Sequence, residues 1–320
     1  MTGPMSDITN QNHVEMRGAV SSEDQLLFNA LVLIQNQEFE LAAGMLNHAV
    51  QLHPNNQDIR YWFALSLRES GHVDESIEQF LNFIHEESSS DHIFRFAETL
   101  YLAGKDKQSI SIFQLFFIRA EDESVHLYDA FKYYGNVLVR LGDYDEAEEA
   151  YHKAFALKPN CTDLLVNYGT LALQKDRTED ALVRFREAIN IDRDCVKAWV
   201  GLAMVHRSLG DYELAWGNLK EAIRIDISNE TAQDLFVSWS VMEGQWQQAL
   251  DLLEKVEASG EAKRSHMNLM AKINFKMGRY HQLQKVLERI KTDFEMASDQ
   301  EVEEISSIIK CLESMESDND

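Results

Sequence analysis

The stretch from Phe131 to Asn160 reads FKYYGNVLVRLGDYDEAEEAYHKAFALKPN, and it contains the pattern that decides the fold. An apolar run with helical spacing ends at Gly142, and Asp143 follows it with Glu146 three residues later. A glycine at a helix C-terminus, followed by an Asp-x-x-Glu capping pattern, predicts a tight turn between two helices. Pro159 then predicts the end of the second helix.

The same pattern recurs along the chain with a period of 34 residues. The turn position holds glycine in six units and Gln37 or Asp176 in the other two; the glycines are Gly71, Gly104, Gly142, Gly210, Gly244 and Gly278. Two sets of alanines keep the same spacing: Ala147, Ala181, Ala215 and Ala249, then Ala154, Ala188 and Ala222. Eight units result, starting near Glu23, Gln57, Ser90, Tyr128, Thr162, Val196, Glu230 and Arg264.

This register resembles the tetratricopeptide repeat (TPR) family, whose pattern of small, aromatic and proline positions it reproduces over roughly Glu23 to Phe294. The resemblance implies an all-α fold, a right-handed α-solenoid of TPR helix pairs, because each pair buries its apolar face only against a neighbour. Such arrays need a polar end. Residues 298–314 place apolar side chains at helical spacing opposite acidic ones, which predicts a C-terminal capping helix.

The chain is expected to divide into five segments. A flexible N-terminal segment covers 1–22, TPR units 1–3 cover 23–123, and units 4–8 cover 124–297. The capping helix at 298–314 and an acidic tail at 315–320 follow. The boundary after residue 123 rests on four extra residues near Glu121 to Ser124, where we expect a soft joint.

Two aromatic residues depart from the family pattern in units 2 and 3. Phe83 and Phe116 stand where the family prefers alanine. Large side chains at a close-packed position push helices apart, which favours a repacked core. The alternative is an exposed aromatic patch that docks a partner.

Charge and composition exclude several classes of protein. The formal net charge of −24 repels phosphate backbones, so we expect no nucleic-acid partner. No stretch approaches the ~20 apolar residues that span a bilayer, so we expect no membrane insertion. Three cysteines without metal-ligand spacing indicate a reducing, cytoplasmic environment. Without a phosphate loop, metal motif or nucleophile elbow, we expect no catalytic residue, no cofactor, no metal and no enzyme activity.

In the TPR family the first helices line a concave groove, and the resemblance places nine residues of this chain along it. The polar and basic ones are Lys132, Asn136, Arg140, Asn167, Lys197 and Arg207, and the apolar half includes Tyr61, Leu65 and Tyr101. Four of them, Lys132, Asn136, Asn167 and Lys197, resemble the carboxylate clamp with which chaperone-binding TPR domains hold a C-terminal carboxylate.

Two departures favour a generic polar groove over the clamp, although both interpretations stay open. The fifth clamp position, an arginine in the family, is Gly201. A lysine does not replace the planar fork that arginine offers to a carboxylate. Asp129 and Asp163 also face the groove and would neutralise the lysines locally.

The leading hypothesis is a non-enzymatic TPR adaptor or scaffold. Its concave groove would bind a peptide or helical segment of a partner protein, with an acidic C-terminus as one candidate ligand. The alternative is a structural subunit or assembly factor of a larger machine, of the secretion, pilus or motility type. That protein would use its ends and convex face. The oligomeric state is left open by the sequence.

Overall fold

The computed structural model describes residues 22–85, 88–121, 124–260 and 262–293. All regular secondary structure in these ranges is α-helix, in eight consecutive pairs, which confirms the all-α prediction. The first helices are α1 (Ser22–Gln35), α3 (Gln57–Glu69), α5 (Ser90–Leu102), α7 (Leu127–Leu141), α9 (Thr162–Gln174), α11 (Val196–Ser208), α13 (Glu230–Met242) and α15 (Arg264–Lys276). The second helices are α2 (Phe39–Leu52), α4 (Val73–Leu81), α6 (Asp106–Arg119), α8 (Tyr144–Leu157), α10 (Thr178–Ile191), α12 (Tyr212–Ile225), α14 (Trp246–Ala258) and α16 (Tyr280–Asp293).

Several predicted segments lie outside the described residues. They are the N-terminal segment up to residue 21, the capping helix at 298–314 and the acidic tail at 315–320. The starts of all eight first helices agree with the repeat starts read from the sequence to within a residue.

A left-handed residue forms the turn inside every pair. Six of these residues are glycines, and the remaining two are Gln37, with φ of 63°, and Asp176, with φ of 56°. In the fourth pair the backbone N–H of Gly142 donates to Val139 O at 3.2 Å, and that of Asp143 donates to Leu138 O at 2.9 Å. These two bonds form a Schellman motif, which satisfies carbonyls at the end of α7. The turn positions predicted from the sequence are therefore correct.

The predicted capping box at the start of α8 is wrong. Asp143 occupies the N-cap position, but its side chain accepts no capping hydrogen bond. Its ψ of 64° departs from the extended backbone that aims an N-cap oxygen at the first turn. Glu146 instead accepts a hydrogen bond from the Tyr134 hydroxyl at 2.5 Å. Backbone hydrogen bonds therefore hold this turn.

Small and large residues alternate in the core between the helices of a pair. Ala147 and Ala154 are fully buried, as the repeat pattern predicts. A Cβ added to Gly135 would lie 2.4 Å from the Tyr151 ring, so glycine lets this ring lie against α7. Phe83 and Phe116 are also buried, and this supports the repacked core in units 2 and 3.

Contacts divide the chain into two compact units, one ending at Lys175 and the other beginning at Asp176. In the first unit, contacts run in order from α1 to α3, α5, α7 and α9, so the first helices form one continuous face, called the inner face below. In the second unit, α10 to α16 pack consecutively around an apolar core that includes Leu219, Trp239 and Leu253. The boundary after residue 123 stays a prediction based on spacing.

Gln37→Gly should raise the free energy of unfolding by about 0.5–1 kcal/mol. Glycine relieves the strain of the left-handed backbone, and this gain exceeds the entropy cost of its greater freedom in the unfolded state. Asp176→Gly should gain less, since aspartate tolerates this conformation better. Gly142→Ala, which meets no neighbouring atom, should lose about 1 kcal/mol. Urea unfolding followed by far-UV circular dichroism measures all three.

Gln51→Gly provides the control for these substitutions. Gln51 is exposed within α2, where glycine should destabilise the helix by about 1 kcal/mol. Equal losses at Gln37 and Gln51 would contradict a left-handed turn at Gln37.

Candidate functional site

Asn136 is the centre of a hydrogen-bond network on the inner face. Its side-chain amide donates to the Tyr101 hydroxyl at 3.1 Å. Its side-chain carbonyl accepts from the Tyr151 hydroxyl and from the Asn167 amide, both at 2.8 Å. One side chain on α7 thus links α5, α8 and α9, and the predicted groove residues Tyr101, Asn136 and Asn167 lie together.

Lys132 lies on the same helix, one turn before Asn136, and carries a positive charge. Its Nζ contacts Asp129 Oδ1 at 2.9 Å and lies 4.8 Å from the centre of the Tyr133 ring. Burial disfavours the ammonium, but the hydrogen bond and charge of Asp129 outweigh it and raise the pKa of Lys132 above its ordinary value. The lysine is therefore a charged group that already has an acidic partner.

Two stacked tyrosines form the apolar floor beside this lysine. The rings of Tyr101 and Tyr133 lie 4.7 Å apart and nearly parallel. The Arg140 guanidinium lies 4.7 Å from the Tyr101 ring and forms a forked pair with Asp106, whose closest N–O distance is 2.5 Å. Lys132 and Arg140 thus each lie close to one ring of this stacked pair.

A second network occupies the earlier part of the inner face. Tyr61 is buried, and its hydroxyl donates to Asp91 Oδ2 at 2.7 Å. The other Asp91 oxygen lies 2.6 Å from His126 Nε2, at the N-cap of α7. Leu65 packs, partly buried, on the apolar cluster that contains Tyr61. Tyr61 therefore presents little surface to a ligand, while Leu65 retains some.

Burial disfavours the Asp91 carboxylate, but hydrogen bonds from His126 and Tyr61 together with the charges of His126 and Arg95 outweigh this cost. They lower the pKa of Asp91 below its ordinary value. The ionised form of Asp91 is therefore the one that folding favours.

The remaining predicted groove residues belong to the second compact unit. Lys197 is exposed on α11. Arg207, on the same helix, contacts Glu243 Oε1 at 2.9 Å and lies 4.3 Å from the Trp239 ring. Arg207 is thus held in a local ion pair.

Gly201, at the fifth clamp position, is buried and faces Phe185 rather than open space. A Cβ at this position would lie 2.4 Å from the Phe185 ring. The backbone here accommodates no side chain without displacing that ring. The absence of the clamp arginine therefore has a packing cause.

Sequence reasoning missed Asp91, His126 and Tyr133. Asp91 holds the same repeat position as Asp129, so an alignment of the repeats would have revealed it. His126 lies in the lengthened connection before α7, where the period gives no register. Tyr133 neighbours Lys132 in the sequence, but its stacking partner is distant in the chain.

Within the described ranges, no helix is both long and apolar enough to cross a bilayer. The same residues contain no group of three histidine, cysteine, aspartate or glutamate side chains arranged to hold a metal ion.

Comparison with known proteins relates this chain to repeat proteins. The family model for the cilia and flagella-associated protein 70 middle TPR-like domain matches residues 115–226. The heat shock protein STI1 of Saccharomyces cerevisiae is 30% identical over 33% of this chain and 18% of its own length. The BBSome complex member BBS4 of Bos taurus is 25% identical over 48% of this chain and 36% of its own length. This chain therefore spans well under half of either relative.

Solved structures show the same fold. The C-terminal part of a TPR repeat-containing protein from Cytophaga hutchinsonii matches with a TM-score of 0.53 at 14% identity. The match covers 76% of this chain and 99% of that one. At this identity the likeness extends to the helix-pair architecture alone.

Gly201→Ala should destabilise the second compact unit by about 1–3 kcal/mol, because its Cβ overlaps the Phe185 ring. Gly201→Arg should cost more and should not create a clamp. Gly217→Ala is the control, since this helical glycine has open space and should gain up to about 1 kcal/mol. Thermal unfolding measures these changes, and a neutral Gly201→Ala would contradict the close contact.

Asp91→Asn should lower stability at pH 7, and its deficit relative to the wild type should shrink as the pH falls. A carboxylate whose folded pKa is depressed stabilises the fold above its unfolded pKa of about 3.9 and loses this effect as the pH falls through the folded pKa. Urea unfolding at pH 7, 5, 4 and 3 tests this. The exposed Asp234→Asn is the control, and a deficit that stays constant from pH 7 to 3 would contradict the ionised network.

Proposed function

Because this chain is a tetratricopeptide-repeat protein, we propose that it is a non-enzymatic adaptor that binds a peptide or helical segment of a partner protein on its inner face. The main support for this proposal comes from the surroundings of Lys132. This residue is a charged lysine held against tyrosine rings in a chain whose net charge is −24. A cation kept at a partly desolvated surface attracts an acidic group selectively.

The ligand that fits this surface combines an apolar segment with an acidic end. Tyr101 and Tyr133 offer apolar area beside the lysine, and the partly exposed Leu65 adds apolar area farther along the inner face, on α3. An acidic group must compete with Asp129 for Lys132, so binding exchanges one carboxylate partner for another. The net gain is therefore smaller than for an unpaired lysine, and aromatic contact must supply the rest of the affinity.

The geometry supports a generic polar groove more strongly than a carboxylate clamp. Asn136 and Asn167 already bond to each other, and Asn136 also bonds to Tyr101 and Tyr151. Gly201 leaves no room for the clamp arginine. Lys132 is thus the principal anchor in this proposal.

We place this activity in the cytoplasm. Cys161 forms no disulfide bond, which agrees with a reducing compartment.

A second candidate function is that of a structural subunit of a larger assembly. The names of the matching family model, cilia and flagella-associated protein 70, and of one relative, the BBSome complex member BBS4, favour it. In this case the chain would bind folded partners through its ends and outer side. Sedimentation velocity would support it by showing a stable dimer whose formation is unaffected by Lys132→Gln.

Lys132→Gln should weaken binding of an acidic peptide about three- to tenfold, because the exchange with Asp129 leaves only part of the roughly 1.5–3 kcal/mol of one charged hydrogen bond. Asp129→Asn should strengthen the same binding several-fold by releasing Lys132 from its internal partner. The probe is a fluorescein-labelled peptide with a Leu-Phe-Leu segment followed by Glu-Glu-Leu-Asp. Fluorescence anisotropy measures the affinities at low and physiological salt.

Lys105→Gln makes the same charge change at an exposed residue of the α5–α6 turn and should leave the affinity unchanged. Amidating the peptide C-terminus separates the two groove models, since equal affinities of acid and amide would eliminate the clamp. Equal binding by wild type, Lys132→Gln and Asp129→Asn would contradict the inner-face site itself. Asn136→Ala is unsuitable here, because it should also destabilise the network that holds α5, α8 and α9.

A further inference from the structure

A large cleft opens on the side of the first compact unit opposite the inner face. Its volume is about 730 Å³, and its floor is α7 while α6 and α8 form the walls. Clefts of roughly 300–1,000 Å³ accommodate drug-sized ligands, so this one admits two or three side chains. Apolar side chains line most of it, including Phe117, Leu127, Phe131, Ala150, Ala156 and Leu157.

The cleft coincides with the place where the repeat period breaks. The connection from Arg119 to Leu127 is longer than the one from Leu157 to Thr162. Phe117 and Phe131 stack across this junction, with ring centres 4.5 Å apart. Their bulk lies between α6 and α7 at the base of the cleft, so the break in period gives a pocket with an aromatic base.

The rim of the cleft is acidic. Glu146 and Glu149 are exposed on α8. The hydroxyl of Tyr134, a residue of the cleft floor, donates a hydrogen bond to Glu146 at 2.5 Å. Lys153 is the one basic side chain of the lining, and its Nζ lies 5.4 Å from the Phe131 ring. A basic group that approaches Glu149 would also enter the field of a strongly acidic chain.

We propose that this cleft, called the outer cleft, binds a partner segment that inserts two apolar side chains and places a lysine or arginine beside Glu149. The apolar lining supplies burial, and the acidic rim selects the sign of the flanking charge. This preference is opposite to that of the inner face. The two surfaces therefore bind chemically different segments, and the outer cleft does not depend on the inner-face proposal.

Repeat symmetry supplies matched variants for the test. Ala156→Trp should fill the outer cleft from an exposed position on its wall. Its control is Ala258→Trp, the exposed alanine three repeats later at the equivalent helix position. Glu149→Lys reverses the charge of the rim, and Asp251→Lys makes the same change at the equivalent position of the seventh repeat.

The probe is a random twelve-residue peptide library displayed on phage, selected on the wild-type chain and counter-selected on Ala156→Trp. Enriched sequences should carry two apolar residues with a nearby lysine or arginine. A synthetic peptide of that sequence should bind Ala156→Trp at least tenfold more weakly and Glu149→Lys several-fold more weakly. Its lysine-to-glutamate version should bind Glu149→Lys better than the wild type. Both control variants and Lys132→Gln should bind as the wild type does.

Circular dichroism establishes whether Ala156→Trp is folded, and Glu149→Lys tests the proposal independently of it. Enrichment of acidic sequences would overturn the proposal. It would also be overturned if no enriched peptide bound the wild type more tightly than Ala156→Trp. Concentration-dependent dimerisation of the wild type that Ala156→Trp abolishes would also overturn it, because the occupant would then be a second copy of the chain.

Discussion

The fold depends on one packing constraint: a helix pair of this size buries its apolar face only when another pair covers it. Close approach is possible because fully buried alanines such as Ala147 and Ala154 recur where helices cross. The left-handed turn inside each pair then fixes how one helix returns along the other. The turn and the helix crossing act together, because a change in either one would alter how each helix pair packs on the next. The regular placement of groove residues on successive first helices follows from this repetition.

The two sides of the first compact unit use this framework in different ways. On the inner face, Asn136 and Asp91 each link polar side chains from neighbouring helices. Such satisfied networks orient their members and make the arrangement specific. On the outer side the interrupted period leaves apolar surface uncovered beside an acidic rim. The regular repeats thus form ordered hydrogen-bond networks, whereas the interrupted period leaves an open cleft.

Periodicity was sufficient to predict the helices, the turns and even the non-glycine turn residues Gln37 and Asp176, because these follow from local backbone geometry repeated in register. The inner face was predicted only as a set of positions. Whether Lys132 forms an ion pair depends on the rotamers of Asp129 and Tyr133. At position 201 glycine is required because the Phe185 ring, on another helix, occupies the space of a side chain. The capping box failed because the backbone at Asp143 adopts a conformation that the local pattern does not specify. Contacts between distant side chains are not encoded in spacing.

Asn136 also affects how the array of repeats unfolds. In a linear array each repeat is coupled mainly to its immediate neighbours, so unfolding can begin at an end and advance one interface at a time. The amide of Asn136 bonds to Tyr101 in the third repeat and to Asn167 in the fifth while it belongs to the fourth. A boundary between folded and unfolded segments cannot pass on either side of the fourth repeat without breaking one of these bonds. This single amide therefore couples three consecutive repeats, and it disfavours a boundary at either interface of the fourth repeat.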